Sequence, residues 1–418
     1  MDLTDLPRLA VVGDVCPCRT QGGELQLYRL LADYPTDRLF VVHGARSPYF
    51  VADKLLPGVP HEVVIPEYAL PRVLRTRWLP FWRAIELSLT GRYAGRVTEL
   101  LATFRPEAIL TVTDNTLWVA AAGAAMRLKL PLVLVQHDDV ASKSTGNSPK
   151  RLHRLTRWLF NRVLGRVYRQ AAARFCVSPG MAETYARRFG PTADVLYPSR
   201  GDDSPEPKVR VNPELIGRLP VVAFVGALYT EGARELLRRL ADILAKLGGR
   251  LDLYGRHDPA ALRVFRLDRS NVCAAGFLPH RVMAERMGET AHALFLPASF
   301  LPAEATDVST LFPSKLADYT AVGLPVLAWG PAYSSAMRWV ADNPDAAVAI
   351  VDEADGQVQA VLGQLASDAD FARGLGEQAV RAGTRDFGRD AAADKLHRTL
   401  LRVAPSAMNH GVLLGGRR

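Results

Sequence analysis

Short apolar runs recur along this 418-residue chain and alternate with segments of helical period. Those in the first half are LAVVGDV, LFVVHG, HEVVIP, AILTVT, LVLVQHD, RFCVS and DVLYPS. Strands that helices cover on both faces are apolar on both faces, whereas a half-exposed strand alternates between apolar and polar residues. The pattern therefore predicts an α/β fold in which crossover helices join parallel strands.

The alternation stops at residues 198–220, where proline and charged residues dominate the sequence PSRGDDSPEPKVRVNPELIGRLP. It restarts with VVAFVGALY, LDLYG, NVCAAGF, ALFLPAS, PVLAWG and AVAIV. Because one core rarely grows beyond about 250–300 residues, we predict two tandem Rossmann-like domains facing a cleft, with ligands at the carboxyl ends of the strands. The predicted bounds are 1–200 for the first domain, 201–220 for a linker, 221–385 for the second domain, 386–403 for a C-terminal helix that can pack back on the first domain, and 404–418 for a loose tail.

The composition excludes several protein classes. With 48% hydrophobic and 23% charged residues, the chain is an ordinary globular protein, and its net charge of +9 favours anionic partners. It has neither a P-loop nor a G-x-G-x-x-G motif after the first strand, which argues against P-loop nucleoside triphosphatases and classical dehydrogenases. The CPC pair lacks the second ligand pair of a zinc site, and no nucleic-acid-binding module is recognisable. Few cysteines and no signal-peptide pattern predict a cytoplasmic protein.

The segment FPSKLADYTAVGLPVLAWG, residues 312–330, combines features of an anion site. Pro313 is suited to the first position of a helix, where free backbone amides and the helix dipole favour a phosphate. Ser314 and Lys315 add a hydroxyl and a positive charge. Asp318 follows one turn later, about 5.4 Å along the axis, where a carboxylate can accept hydrogen bonds from a ribose diol. Gly323 is predicted to end the helix before a buried strand. A plain surface helix that begins at proline explains the same residues.

The wider pattern of motifs favours the first interpretation. The segment resembles the donor-nucleotide motif of GT-B glycosyltransferases, particularly the retaining family 4, in which an acidic residue precedes A-x-G-x-P-V. Asp318 precedes AVGLPVLA here. Similar motifs along most of the chain are QGGELQLYRLL, LVLVQHDD, FCVSPGMAETYARRFG, FVGALYTEG and LYGR. The resemblance implies the GT-B fold and transfer of a sugar from a nucleoside-diphosphate-sugar to a sugar or lipid-linked acceptor. It also implies retention of the anomeric configuration and no bound metal or other cofactor.

The chain departs from that family at two places. The family carries Glu, seven residues and Glu, whereas this chain has Thr310 and Asp318. The Arg and Lys that follow the first strand of the second domain are missing from VGALYTEGARELL, so Lys315 and Arg256 would supply the positive charge. Two alternatives therefore stay open: a nucleotide-sugar 2-epimerase on the same frame, and a degenerate protein that binds a nucleotide or a partner without catalysis.

The resemblance and the strand ends together give the predicted site residues. Donor binding is assigned to Gly22, Gly23, Gly226, Arg256, Ser314, Lys315, Leu316 and Asp318. His137 and Asp138 follow a buried strand and are the predicted catalytic residues, with His137 as hydrogen-bond donor or general base. The structural alternatives are a strand-to-loop turn at Gly226, a helix start at Gly22 and Gly23, and a structural histidine at position 137.

Two basic, amphipathic segments lie in the first half. Residues 148–170, SPKRLHRLTRWLFNRVLGRVYRQ, place leucine and valine at helical spacing among arginines, and residues 70–89, LPRVLRTRWLPFWRAIELSL, are similarly basic and aromatic. Such helices bind anionic membrane surfaces, although a core helix with a solvated arginine face has the same pattern. A peripheral location on the inner face of the cell membrane is therefore a candidate, and it would suit a lipid-linked acceptor.

Overall fold

The computed structural model describes residues 3–20, 22–44, 51–65, 79–141 and 151–404. They form two compact units. The first unit contains the described residues up to Tyr197 together with those from Ala392 onward, and the second unit is Pro198–Ala391.

The first unit is built on a seven-stranded parallel sheet in the order β3-β2-β1-β4-β5-β6-β7. Its strands are β1 (Leu9–Gly13), β2 (Leu39–Gly44), β3 (His61–Ile65), β4 (Ala108–Val112), β5 (Leu132–Gln136), β6 (Ala173–Cys176) and β7 (Asp194–Val195). Its helices are α1 (Gly22–Leu31), α2 (Leu79–Thr90), α3 (Ala94–Phe104), α4 (Leu117–Leu128), α5 (Arg151–Gln170) and α6 (Pro179–Phe189). Every residue of the central strands β1, β4 and β5 is buried, whereas the edge strand β3 is exposed over its first three residues.

The second unit has a six-stranded parallel sheet in the order β10-β9-β8-β11-β12-β13. Its strands are β8 (Val221–Val225), β9 (Arg250–Tyr254), β10 (Val272–Gly276), β11 (Ala293–Pro297), β12 (Val326–Trp329) and β13 (Val348–Ile350). Its helices are α7 (Glu231–Lys246), α8 (Pro259–Val264), α9 (His280–Thr290), α10 (Ala305–Thr310), α11 (Lys315–Val322), α12 (Ser335–Asp342), α13 (Asp355–Ser367) and α14 (Ala369–Phe387). Each predicted apolar run contains one strand, so the α/β prediction with two Rossmann-like domains is confirmed.

The last helix, α15 (Arg389–Val403), belongs to the first unit from Ala392 onward. Leu396 and Leu400 are fully buried in the same core cluster as residues of β1 and β2. The helix thus adds an apolar face to the first sheet although it lies at the end of the sequence. Of the predicted tail, residues 405–418 lie outside the described residues.

The predicted linker is part of the second unit. The Lys208 N–H donates to Ala321 O at 3.1 Å, and the Arg210 guanidinium donates to Ala321 O and Val322 O at 3.2 and 3.3 Å. These carbonyls belong to the last turn of α11, where no intrahelical partner remains, so a neighbouring cation and N–H group satisfy them. The segment is therefore docked on α11 despite its proline-rich, charged sequence.

The strand order fixes where a ligand can bind in each sheet. In the first sheet the strand order reverses between the parallel neighbours β1 and β4, and in the second between the parallel neighbours β8 and β11. Open parallel sheets bind ligands at the carboxyl ends of the strands beside this reversal. None of the helices that the structure describes is long and apolar enough to cross a bilayer.

Candidate functional site

In the second unit, two glycines and a lysine meet where β8 and β9 end. Gly226 follows β8 with φ 125°, and a Cβ atom there would lie 3.2 Å from Lys315 Nζ. Gly255 follows β9 with φ 145°, and a Cβ atom there would lie 3.2 Å from Gly226 O. These backbones approach each other and the amine so closely that side chains would not fit. The structure therefore brings the predicted residues Gly226 and Lys315 together beside the reversal of strand order.

Lys315 is a cation with no carboxylate partner among the described residues. Its Nζ lies 4.1 Å from the centre of the Phe224 ring, which gives partial compensation through a cation–π contact. Burial alone lowers the pKa of the Lys315 amine to about 8. A desolvated, unpaired ammonium is unfavourable for folding unless an anion completes it. The position is therefore suited to an anionic ligand from outside the chain.

The start of α11 differs from the prediction. The helix begins at Lys315, not at Pro313, and Ser314 is its N-cap residue without a side-chain cap bond. The Leu316 N–H already donates to Pro313 O at 3.0 Å, and its side chain is fully buried. The Leu316 amide is thus already engaged in a tight turn, and a role for Leu316 in binding a phosphate stays a prediction. Lys315 and the exposed Ser314 hydroxyl remain available, and Gly323 ends the helix as predicted, with φ 67°.

Asp318 lies one turn further along α11 and remains 18% exposed. His280 Nδ1, at the start of α9, lies 3.6 Å from Asp318 Oδ2. The next residue, Tyr319, accepts a hydrogen bond at its hydroxyl from the Val225 N–H at 2.8 Å, and burial raises the pKa of that hydroxyl. Because this bond ties α11 to the end of β8, the Lys315 and Asp318 backbones are fixed relative to Gly226.

The predicted residue Arg256 lies beside Phe277, which the sequence analysis did not select. Its guanidinium lies 5.0 Å from the centre of the Phe277 ring, and Phe277 is 61% exposed directly after β10. A flat, exposed arginine–aromatic pair is a surface on which a base can stack. Phe277 and His280 both lie in the stretch FLPH after an apolar strand. This position after a strand could have indicated both residues, since polar and aromatic residues at the ends of parallel strands collect at one edge of the sheet.

The start of α7 lies where the related family carries the Arg and Lys that this chain lacks. Arg234 and Arg238 both pair with Glu231, at 2.7 and 2.8 Å. The Glu304 carboxylate accepts the N–H groups of Glu231 and Gly232 at 3.0 and 3.4 Å. The chain's own carboxylates thus satisfy both the arginines and the amides of this helix start. Lys315 and Arg256 are left as cations without an acid partner at this edge of the second sheet, within the described residues.

In the first unit, the Gly-Gly pair and His137 are neighbours. Gly22 and Gly23 are the first two residues of α1, so they form a helix start. A Cβ atom on Gly23 would lie 3.1 Å from His137 Nδ1. His137 directly follows β5 and is partly exposed. The structure therefore brings Gly23 and His137 together, and glycine is required for the close approach of the imidazole.

The neighbouring carboxylates have different roles. Asp139 is 4% exposed and pairs with Arg188 at 2.7 Å, which identifies it as a structural ion pair. Asp138 is partly exposed beside His137 and keeps its predicted position near the site. Asp14, which the sequence analysis missed, is buried after β1 and accepts the Thr116 and Leu117 N–H groups at 3.1 and 2.9 Å. It caps the start of α4 and has no motif that marks it.

Among the described residues, no three His, Cys, Asp or Glu side chains are grouped so that they could hold a metal ion.

Comparisons with known proteins identify the fold. Residues 51–201 match the family model of the glycosyl transferase 4-like domain. No curated protein matches the sequence. Anabaena HepE in complex with UDP is 16% identical, with a TM-score of 0.64 over 94% of this chain and 99% of that one. Sucrose-phosphate synthase from Thermosynechococcus elongatus is 14% identical, with a TM-score of 0.64 over 94% of this chain and 98% of that one.

The chain has the GT-B fold. A third similar structure is the lipopolysaccharide outer core galactosyltransferase WaaB, which is 15% identical with a TM-score of 0.62 over 94% of this chain and 99% of that one. The two Rossmann-like units are those of the GT-B fold. The chain thus carries one group of predicted residues at the strand ends of its second unit and another at those of its first.

Proposed function

We propose that this protein is a glycosyltransferase that takes its sugar from a nucleoside-diphosphate-sugar, with the diphosphate at Lys315 and the ribose at Asp318. The observation that carries the proposal is the desolvated Lys315 amine without an acid partner, 3.2 Å from the Cβ position of Gly226. Anions bind at such positions because a buried positive charge gains more from a ligand than a hydrated one does.

The residues of the second unit would act mainly through electrostatics. As the bond between sugar and diphosphate breaks, negative charge grows on the leaving oxygen, and a preorganised ammonium stabilises it most at that moment. The Ser314 hydroxyl would donate to a phosphate oxygen. The Asp318 carboxylate would accept hydrogen bonds from the two ribose hydroxyls, and the surface of Phe277 and Arg256 would stack on the base.

The residues of the first unit would act on the acceptor. His137 would accept the proton of the attacking hydroxyl or donate a hydrogen bond, because an imidazole titrates near neutral pH. Asp138 would lie beside it as a second polar contact. The glycine at position 23 keeps a Cβ atom away from the ring, since that atom would lie 3.1 Å from Nδ1.

The donor and the stereochemistry rest on similarity. Structures of Anabaena HepE contain UDP or UDP-glucose, so uridine diphosphate sugars are the first donors to test. The resemblance to the retaining family 4, together with the glycosyl transferase 4-like match over residues 51–201, supports retention of the anomeric configuration. Metal ions and other bound cofactors are not part of the proposal.

A calorimetric screen against UDP, GDP, ADP, TDP and CMP, with no metal added, tests the donor site. We expect one diphosphate to bind selectively and CMP to bind weakest, because it lacks the second phosphate that Lys315 would contact. Turnover of the matching nucleotide sugar with an acceptor, with the product's anomeric configuration read by proton NMR, then tests retention. Isomerised nucleotide sugar without any acceptor would indicate a 2-epimerase instead. Silence towards every nucleotide would contradict the proposal and favour the degenerate protein.

The acceptor is proposed to be a lipid-linked or polysaccharide precursor, reached from the cytoplasmic face of a membrane. Helix α5 lacks acidic residues and packs against α2 in the first unit. Phe81, Leu155 and Trp158 are 51%, 61% and 55% exposed on these helices. Large apolar side chains among arginines are typical of helices that lie on anionic bilayers. Residues 70–78 and 148–150 of the two predicted segments lie outside the described residues.

Replacing Arg151, Arg154 and Arg157 with Gln should weaken co-sedimentation with anionic vesicles. Each arginine near such a surface contributes about 1 kcal/mol, so the triple variant should lose roughly 100-fold in partitioning. Nucleotide binding measured by calorimetry should not change, since these residues belong to the other unit. Failure of the parent protein to sediment with anionic vesicles would remove the membrane part of the proposal.

A further inference from the structure

A depression of about 420 Å³ lies between α5 and α6 of the first unit. Its shape follows from a glycine. A Cβ atom on Gly165 would lie 2.8 Å from Phe189 Cδ1, so the two helices approach closely only because position 165 has no side chain. Phe189 is 8% exposed and packs against Tyr168 and Tyr185 with ring centroids 5.4 Å apart, which gives the depression a rigid aromatic floor.

Three guanidinium groups line this depression, together with an aromatic side chain. Arg188 is held by the buried Asp139 at 2.7 Å. Arg162 lies 5.5 Å from the centre of the Trp158 ring, and neither it nor Arg169 has a carboxylate partner among the described residues. Guanidinium groups bind phosphate oxygens through two parallel hydrogen bonds, which makes arginine suited to phosphate recognition. The lining therefore carries positive charge that the described part of the chain does not neutralise.

A buried acceptor completes the lining. The Asn161 Oδ1 atom is buried without a hydrogen-bond partner among the described residues, and Asn161 lines the same depression. A buried amide oxygen without a donor is unfavourable unless a ligand supplies one. An ionised phosphodiester has no hydrogen to donate, but a hydroxyl on the same headgroup does. The lining thus suits a ligand with both a phosphate and a hydroxyl.

The rim favours a membrane over a nucleic acid. Leu155, Trp158, Arg162 and Arg169 follow one another at spacings of three, four and seven residues, so they share a face of α5. Leu155 and Trp158 are 61% and 55% exposed. Tryptophan is enriched at the level of lipid headgroups, where one side of the ring meets acyl chains and the other meets water.

We infer that this depression binds the headgroup of an anionic phospholipid that carries a phosphate and a free hydroxyl, of which phosphatidylglycerol is the simplest. The inference rests on the membrane part of the proposed function. It adds a specific site to what would otherwise be a diffuse attraction between charges. Occupation of that site would seat α5 on the bilayer with Trp158 at headgroup depth.

Two double variants with the same loss of charge test this site. Arg162→Gln with Arg169→Gln removes the unpaired guanidiniums of the lining, and Arg188 is retained because its loss would strand the buried Asp139. The control, Arg166→Gln with Arg187→Gln, changes exposed residues of the same two helices that do not line the depression. The probes are phosphatidylcholine vesicles with and without phosphatidylglycerol, glycerol 3-phosphate, inorganic phosphate and a single-stranded oligonucleotide.

Loss of diffuse attraction alone would weaken the binding of both variants alike, by up to roughly 25-fold. Because the lining pair also loses the specific site, we expect it to lose at least about tenfold more affinity for phosphatidylglycerol vesicles than the control pair. Glycerol 3-phosphate should compete with the vesicles for the parent protein but not for the lining pair. Asn161→Leu should reduce the preference for phosphatidylglycerol over phosphatidylserine, which lacks the glycerol hydroxyls.

The contrary results are distinguishable. Equal losses in the two pairs would overturn the site and leave the membrane proposal standing. No vesicle binding by the parent would overturn both, whereas the nucleotide screen would still decide the donor site. Inorganic phosphate that binds as tightly as glycerol 3-phosphate, or an oligonucleotide that binds more tightly than the vesicles, would overturn the lipid assignment.

Discussion

Lys315→Met is expected to weaken binding of the nucleoside diphosphate strongly and at the same time to raise the thermal stability of the protein. A charge-assisted hydrogen bond to phosphate contributes about 1.5–3 kcal/mol, so affinity should fall roughly 10- to 100-fold or more. Stability should rise because methionine keeps the apolar stem against Phe224 and removes a desolvated charge. Calorimetry with the diphosphate and a thermal melt of the free protein measure both effects.

The opposite signs of these two effects make the variant diagnostic. A residue that serves only the fold loses stability when it is replaced, whereas a strained functional residue is often stabilised by replacement. The control is Lys246→Met, at the exposed end of α7 in the same unit, which should leave both measurements unchanged. A less stable Lys315→Met protein with normal affinity would contradict the assignment of Lys315 to the diphosphate.

The affinity of the parent should also fall at high pH. Burial lowers the pKa of Lys315 from 10.5 to about 8 in the free protein. Below that pH the ammonium is present and the affinity is flat. Above it the free protein must take up a proton to bind the anion, so the affinity falls by up to about tenfold per pH unit. Lys315→Arg, whose charge does not titrate here, should bind without this decline. The range from about pH 7.5 to 9 is suitable because the terminal phosphate, whose second pKa lies near 6, is then almost fully ionised.

Linkage to folding has the opposite sign. Because the native pKa of Lys315 lies below its unfolded value, the native state binds fewer protons between about pH 8 and 10.5. The destabilising contribution of the desolvated ammonium is therefore fully present at neutral pH and diminishes as the pH rises through this window. The gain in stability from Lys315→Met should be largest at neutral pH and smaller above it.

Asp318→Asn should weaken binding of the nucleoside diphosphate by roughly 10- to 100-fold while leaving pyrophosphate binding unchanged. The carboxylate can accept from two ribose hydroxyls, and an amide loses both the charge and one acceptor. Pyrophosphate has no ribose, so it contacts only the Lys315 side of the site. Competition between pyrophosphate and the diphosphate, followed by calorimetry, separates the two contributions.

Asp318→Asn also changes the neighbourhood of buried Arg200. Burial lowers the pKa of that guanidinium to about 10, and the Asp318 charge partly opposes this shift. A small loss of stability is therefore expected, and a thermal melt should accompany each titration. The matched control is Asp342→Asn, an exposed carboxylate at the end of α12. Equal losses for pyrophosphate and the diphosphate would show that Asp318 does not contact the ribose.

Part of the candidate site could be predicted from the sequence because its members are close along the chain. Lys315 and Asp318 share a face of one helix, and helical periodicity fixes that relation without tertiary information. Gly323 ends the same helix because a left-handed residue is needed there. The role of Leu316 could not be predicted, since whether its amide is free depends on the turn formed with Pro313.

Other features needed the folded chain. The approach of Gly226 to Lys315, and that of Gly23 to His137, join residues far apart in the sequence through the order of the strands. The segment at 201–220 is a linker by composition, yet it is bound to the last turn of α11 because unpaired carbonyls are available there.

The sequence by itself determined the two α/β domains, the position of every predicted strand and the polarity of the basic helix α5, because periodicity and burial are local properties of the chain. Only the tertiary structure decided that Lys315 has no acid partner while Arg234 and Arg238 share Glu231. It also decided that Gly165 opens a charged depression beside Phe189. The physical reason is that pairing and desolvation of charges depend on distances between elements, which the strand order sets and no local pattern records.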